Sequence, residues 1–182
     1  MQSHLKFRKK AVSSITNSVG CYILADLDNV PIYVGQSTDG IRVRVARHLT
    51  SARSDIIANR QIDVWEIAFV WAYPIVNKTD IQLLESSLFH KFDSQSQLMN
   101  GKVPAFINPN YVLPNPASVT QVISNADLVE RLEPEVRLPR QAQHYANLVD
   151  HFLVVKRSEQ IARSMQAHFE RLNKYHLSLL SA

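Results

Sequence analysis

Thiols are nearly absent from this chain: Cys21 stands alone among 182 residues. That excludes an internal disulfide and any zinc site built on several thiolates. The fold must therefore stand on packing, and the composition suits a reducing compartment, with the cytoplasm as the default expectation. Long apolar runs are missing as well. Lys, Asp, Arg or Asn interrupts every stretch before it nears the roughly 20 residues of a membrane-spanning helix, so no membrane partner is expected. Acids are missing from the first 25 residues, where Lys6, Arg8, Lys9 and Lys10 meet no opposing charge. This start resembles a transit peptide in composition but lacks the apolar centre of a secretory signal. Internal repeats and low-complexity tracts are absent.

What remains is a chain with 46% hydrophobic residues, long enough for one ordinary domain, with or without an appended helical element. The net charge of +4 is unevenly placed. Residues 1–60 hold nine Lys/Arg against four Asp/Glu, residues 61–119 three against five, and residues 120–182 eight against seven. A positive excess confined to the first third suits a polyanion such as nucleic acid, and equally a plain solvated surface.

The stretch "GCYILADLDNVPIYVG", residues 20–35, places two β-rich runs around the turn-type sequence "LDN" and reads as a hairpin. Period-two alternation puts Cys21, Ile23 and Ala25 on one face, Tyr22 and Leu24 on the other. After the loop "QSTDG", Thr38 or Asp39 can cap a helix beginning near Ile41, with Ile41, Val45, His48 and Leu49 at helical spacing. Residues 62–75, "IDVWEIAFVWAYPI", read as the strongest strand, with Trp65 and Trp71 on one core face. From Thr79 a second helix shows Ile81, Leu84, Leu88 and Phe92 in a 3-4-4 repeat, capped by Thr79 or Asp80, with Glu85 at the edge of the stripe. The proline-rich residues 93–118 read as loop. Hairpin, helix, strand and helix predict an α+β domain around a small, three-stranded, largely antiparallel sheet.

Beyond residue 119 the pattern becomes helical. A short capped helix ends at Pro134, and two longer ones follow, the last with Ile161, Met165, Phe169, Leu172 and Leu179 in one stripe. His144, His151, His168 and His176 lack a metal-binding spacing. Packing over the first domain, clamping of nucleic acid and a homodimer contact are the roles left open for this extension.

The order Gly20-x-Tyr22, Tyr33-x-Gly35, Arg44 and His48 resembles the GIY-YIG nuclease family, with Cys21 and Val34 in place of isoleucines and Gln36 where many members have lysine. The resemblance covers about residues 18–112 and says nothing of residues 120–182; together with the charge distribution and the helical pattern it divides the chain into a basic N-terminal segment over 1–17, a nuclease domain over 18–118 and a helical extension over 119–182. It implies an endonuclease that hydrolyses DNA phosphodiesters with a divalent metal, Mg²⁺ or Mn²⁺. Tyr22 would be the general base, aided by His48. Tyr33 would orient water or phosphate, and Arg44 would neutralise phosphoryl charge. Glu85 would hold one metal, and Asn108 in "AFINPN" would close the motif set, although the gap from Glu85 is longer than in compact members. Gly20, Gly35, Gln36, Ser37, Arg42 and Arg47 are the residues expected to border substrate. The residue types suit the chemistry: a planar guanidinium matches phosphate oxygens, a lone carboxylate suits a hard cation that keeps its waters, and a phenol serves as base only with help, its reference pKa being about 10. Competing readings are a binding module that keeps the fold without turnover, and an oligomerisation protein working through its C-terminal helices.

Overall fold

The structure, a computed structural model, describes residues 2–50, 54–105, 108 and 110–181. Its centre is a four-stranded antiparallel sheet in the order β2-β1-β3-β4. The strands are β1 (Gly20–Ala25), β2 (Pro31–Ser37), β3 (Phe69–Pro74) and β4 (Ser118–Gln121). The hairpin forms as its alternation requires. Asp26 closes its turn by accepting the amides of Asp28 and Val30 at 3.0 and 2.8 Å, and Asn29 takes a left-handed φ of 59°. β1 lies between β2 and β3 and is buried along its whole length, which is why it is apolar on both faces.

Helices cover both faces of the sheet. On the Tyr22 side pack α1 (Gln2–Ser13) and α2 (Ile41–Thr50), with Val12, Ile15, Ile41, Val45 and Leu49 joining Leu24, Val70 and Ala72. The basic start of the chain is thus a helix whose end enters the core. A short helix, α3 (Asp55–Ala58), adds Ile56 to the same cluster. On the Cys21 side lies α4 (Ile81–Asp93), whose Ile81, Leu84, Leu88 and Phe92 pack on Cys21, Ile23 and Val34. Cys21 is a fully buried core residue.

Three local expectations change. β3 begins at Phe69, because residues 62–67 fold as turns around two acids. Asp63 accepts the amide of Trp65 at 3.1 Å, a side-chain bond that competes with extended pairing. Trp65 and Trp71 therefore share no strand face. Trp65 sits half-buried under the guanidinium groups of Arg131 and Arg140, 5.0 and 5.9 Å from its ring. Trp71 stays on β3, packs edge-on to Phe92 and donates to Asn29 at 2.8 Å. Second, the sheet has a fourth strand, β4, a short polar edge inside an otherwise irregular stretch. Third, the helix caps differ: the amides of Ile41 and Arg42 are taken by the carbonyls of Ser18 and Thr16, and Asn77 caps the 3₁₀ turn leading into α4.

The C-terminal helices are α5 (Asn125–Leu132), α6 (Pro134–Asp150) and α7 (Glu159–Leu180). Ser124 and Ser158 cap α5 and α7. Of the apolar stripe foreseen for α7 only Ile161 is fully buried, and Met165, Leu172 and Leu179 are half-buried. Phe169 is 53% exposed, and beside Ile161 the helix buries Ser164, Ala167, His168, Arg171 and Tyr175. Those polar groups meet the ends and loops of the first domain. Ser164 donates to the Met99 carbonyl at 2.9 Å, and Arg171 binds Asp26 at 2.7 Å and the Pro31 carbonyl at 2.9 Å. From α6, Arg137 bonds Glu66 and reaches Asp28 at 2.7 Å, while Arg140 holds Asp63 at 3.0 Å. No described helix is long and apolar enough to cross a membrane.

Candidate active site

Tyr22 stands directly opposite Gly35 in the hairpin, and Tyr33 opposite Leu24, so both phenols leave the same face of the sheet. The pairing explains the glycine: a Cβ at Gly35 would lie 2.5 Å from the Tyr22 hydroxyl oxygen and 2.9 Å from the Tyr33 ring. Gly35 is thus the floor on which the two tyrosines meet. Helix α2 delivers His48 onto them, and the three rings lie 5.8 to 6.3 Å apart.

The Tyr22 hydroxyl is 2.7 Å from His48 Nε2, and His48 Nδ1 is 2.6 Å from the Ser54 hydroxyl. Tyr22, His48 and Ser54 are all buried. Burial, then the charges of Arg44 and Arg47, holds the His48 imidazole down at about 4, so it rests neutral. Burial, then Tyr33, pushes the Tyr22 phenol well above its usual value, opposed by the positive charge of Arg44. With the ring proton on Nδ1, both bonds are satisfied: Nδ1–H donates to Ser54, and the phenol donates to Nε2. Arg44, one turn before His48, leaves its buried Nε without a partner among the described residues.

A cavity of about 560 Å³ opens beside these rings, at the edge strand β2. Tyr33 and Gln36 line it from β2, Glu85 and Ser86 from α4, and Asn100 and Lys102 from the segment that follows α4. Burial raises the Glu85 carboxyl, with Lys102 opposing, and no hydrogen bond to that carboxylate forms among the described residues. The charge of Glu85 also acts on Tyr22, so the carboxylate and the phenol share one electrostatic field. Among the described residues no group of three or more His, Cys, Asp or Glu is placed so that it could hold a metal ion. A cation at Glu85 would accordingly take one protein ligand and complete its shell with water and substrate oxygen, which suits Mg²⁺.

The structure therefore clusters Tyr22, Tyr33 and His48 over Gly35, with Arg44 one turn away on α2, and Tyr33 joins this buried cluster to the cavity that Gln36 and Glu85 also line. The other candidates lie elsewhere. Gly20 packs where a Cβ would lie 2.2 Å from the Tyr73 carbonyl oxygen. Ser37 is buried and donates to the Gly40 carbonyl at 2.8 Å. Arg42 ties α2 to the Ser13 carbonyl at 3.2 Å, and Arg47 is exposed on α2. Asn108 is exposed and accepts the amide of Asn110 at 2.9 Å, away from the cavity lining.

Two cavity and relay residues escape the sequence pattern. Asn100 donates to the Val34 carbonyl at 2.7 Å and accepts its amide at 3.0 Å, clamping β2 beside Glu85. An Asn-Gly pair in a proline-rich stretch reads as a turn, which hides it. Ser54 carries no local signal at all, since its role depends on where α3 is folded back against α2.

The family model of the GIY-YIG catalytic domain matches residues 18–100. The match runs from just before β1 to Asn100 and contains every residue of the tyrosine, histidine and glutamate cluster. No curated protein matches the chain.

Proposed function

We propose that this chain, whose residues 18–100 match the family model of the GIY-YIG catalytic domain, is a nuclease-type hydrolase, a divalent-metal-dependent endonuclease acting on DNA phosphodiester bonds. The observation that carries this reading is the relay Tyr22–His48–Ser54 standing behind a cavity with an unpaired carboxylate, Glu85. Glu85 would hold Mg²⁺ or Mn²⁺, which when bound supplies positive charge to the phosphoryl oxygens and lowers the pKa of water.

The chain's own groups account for the rest. A water proton passes to the Tyr22 oxygen as the phenol proton moves to His48 Nε2, and Ser54 holds the imidazolium by accepting its Nδ1–H. The water oxygen forms the new bond to phosphorus while the bond to the 3′-oxygen breaks, and the leaving oxygen takes a proton from solvent to become the 3′-hydroxyl. Arg44 faces the charge gathering on the phosphoryl oxygens, where a fixed cation is stronger in the transition state than in the ground state. Tyr33 lines the cavity in front of Tyr22 and orients water or phosphate. Asn100, in place of Asn108, keeps β2 and the Glu85 wall in register. The same guanidinium that opposes the proton on His48 favours the phenolate, so the base works as a pair rather than as either residue alone.

The test is cleavage of plasmid, single-stranded and branched DNA with Mg²⁺, with EDTA and with Glu85→Gln. Cleavage that EDTA and Glu85→Gln both abolish, with binding retained, is the expected result. Binding without cleavage by the unaltered protein would instead favour a non-catalytic nucleic-acid module.

A further inference from the structure

Gln61 is 7% exposed and lies outside the tyrosine, histidine and glutamate cluster, yet it lines the same cavity. Its backbone is fixed from two directions. Its amide donates to the Ile56 carbonyl at 2.9 Å, and its carbonyl accepts from His168 Nε2 of α7 at 2.9 Å. The preceding Arg60 has a left-handed φ of 55°, and its carbonyl lies 3.1 Å from His144 Nε2 of α6. The two histidine rings lie 4.8 Å apart, tilted by 46°. Two C-terminal helices thus converge on two successive carbonyls of one loop.

The side-chain amide that this scaffold holds has no hydrogen-bond partner among the described residues. It faces Gly101, where a Cβ would lie 2.6 Å from Gln61 Nε2 and 2.8 Å from the Gln160 Cβ, so the glycine keeps the space in front of the amide open. The polar atoms of this amide are not sealed from the cavity, so an occupant of the cavity can reach and pair with them. We propose that Gln61 contacts the nucleotide flanking the scissile phosphate, as a specificity residue of the active-site cavity positioned by α6 and α7.

The chemistry fits that occupant. One primary amide offers donors and an acceptor in a plane, which pairs with a base edge in a way that no single charge can. The cavity volume falls within the roughly 300–1,000 Å³ of ordinary ligand pockets. The C-terminal helices acquire a functional role through this residue: they fix the loop that reads the substrate. The inference rests on the nuclease reading, so the two must fail separately.

The experiment measures steady-state cleavage by the full chain on labelled duplex, single-stranded and branched oligonucleotides that differ at the base beside the cut. Gln61→Leu should raise KM by roughly 10-fold, the equivalent of one lost hydrogen bond, with kcat nearly unchanged and preference among the flanking bases narrowed. His168→Leu should raise KM in the same direction, and His168→Gln, which restores a donor to the Gln61 carbonyl, should recover most of it. Thermal melting of each variant separates this from unfolding. Wild-type KM and base preference in Gln61→Leu would overturn the inference, and so would a parallel fall in kcat and melting temperature without a change in preference. If the unaltered protein cleaves none of the substrates, the nuclease reading fails and this inference fails with it.

Discussion

Helices α4 and α7 both dock on the same domain, and they do so by opposite means. α4 covers the open face of a sheet, where every backbone group is already paired, so an apolar stripe of Ile81, Leu84, Leu88 and Phe92 is what the contact needs. α7 covers loops and strand ends, whose carbonyls and carboxylates still require donors. It buries Ser164, His168, Arg171 and Tyr175 to supply them and leaves Phe169 in solvent. What a helix must bury is thus decided by the surface it meets. Periodicity of hydropathy locates the docking face only when that surface is a sheet or another helix.

The sharpest way to break this comparison is to remove residues 119–182. The cut takes away Arg137, Arg140 and Arg171 and leaves the buried Asp26, Asp63 and Glu66 without their cations. The fragment is expected to aggregate or unfold, as read by light scattering and circular dichroism. A soluble, cooperatively folding fragment would mean that the helices only decorate the domain.

Single substitutions should follow the same division. Arg137→Ala strands Glu66 and Asp28 and should cost about 3–5 kcal/mol, and Leu88→Ala in the α4 contact about 2–5 kcal/mol. Urea titration of both variants compares an ionic with an apolar dock directly. Acid should then loosen α7 before it loosens α4. His168 is held at about 3 and His48 at about 4 by burial, both below the ordinary 6.5. The unfolded chain therefore binds protons that the folded chain refuses. Stability present above pH 6.5 falls as pH drops toward 4, by on the order of 3 kcal/mol for each histidine. Denaturant midpoints between pH 7 and pH 4 measure it, and His168→Gln should flatten the slope. The smallest effect belongs to Phe169→Ser, expected within about 0.5 kcal/mol of wild type because the ring is exposed. A loss there as large as at Leu88 would place Phe169 in a buried contact and reverse the reading of α7.

The two docks also show why parts of the molecule are legible in sequence and others are not. Alternating residues and a turn of Asp and Asn specify the hairpin locally. α2 and α4 advertise their faces because both pack on the sheet. Tyr22, Tyr33, Arg44, His48 and Glu85 sit on those regular elements, so order and spacing suffice to bring them together. Asn100, Ser54 and Gln61 sit on irregular segments fixed by bonds to Val34, His48 and His168 that follow no helical or strand repeat, two of them between residues far apart in sequence, and no local pattern encodes such bonds. The β-rich run at 62–67 fails as strand for a related reason. Asp63 and Glu66 are committed to arginines on α6, some 70 residues away. β4 escapes because four residues paired along one edge carry too little pattern to separate from loop.

Single-turnover cleavage with DNA bound to saturation tests the relay of Tyr22 and His48 most directly, since it separates chemistry from binding. Tyr22→Phe keeps the ring and removes only the oxygen that accepts the water proton. It should lose about 10² to 10⁴ in rate, matched by Arg44→Ala, whereas Tyr33→Phe should lose about 1–3 kcal/mol of transition-state stabilisation. Equal and small losses at the two tyrosines would contradict the relay and leave the phenols on Gly35 as packing for the sheet.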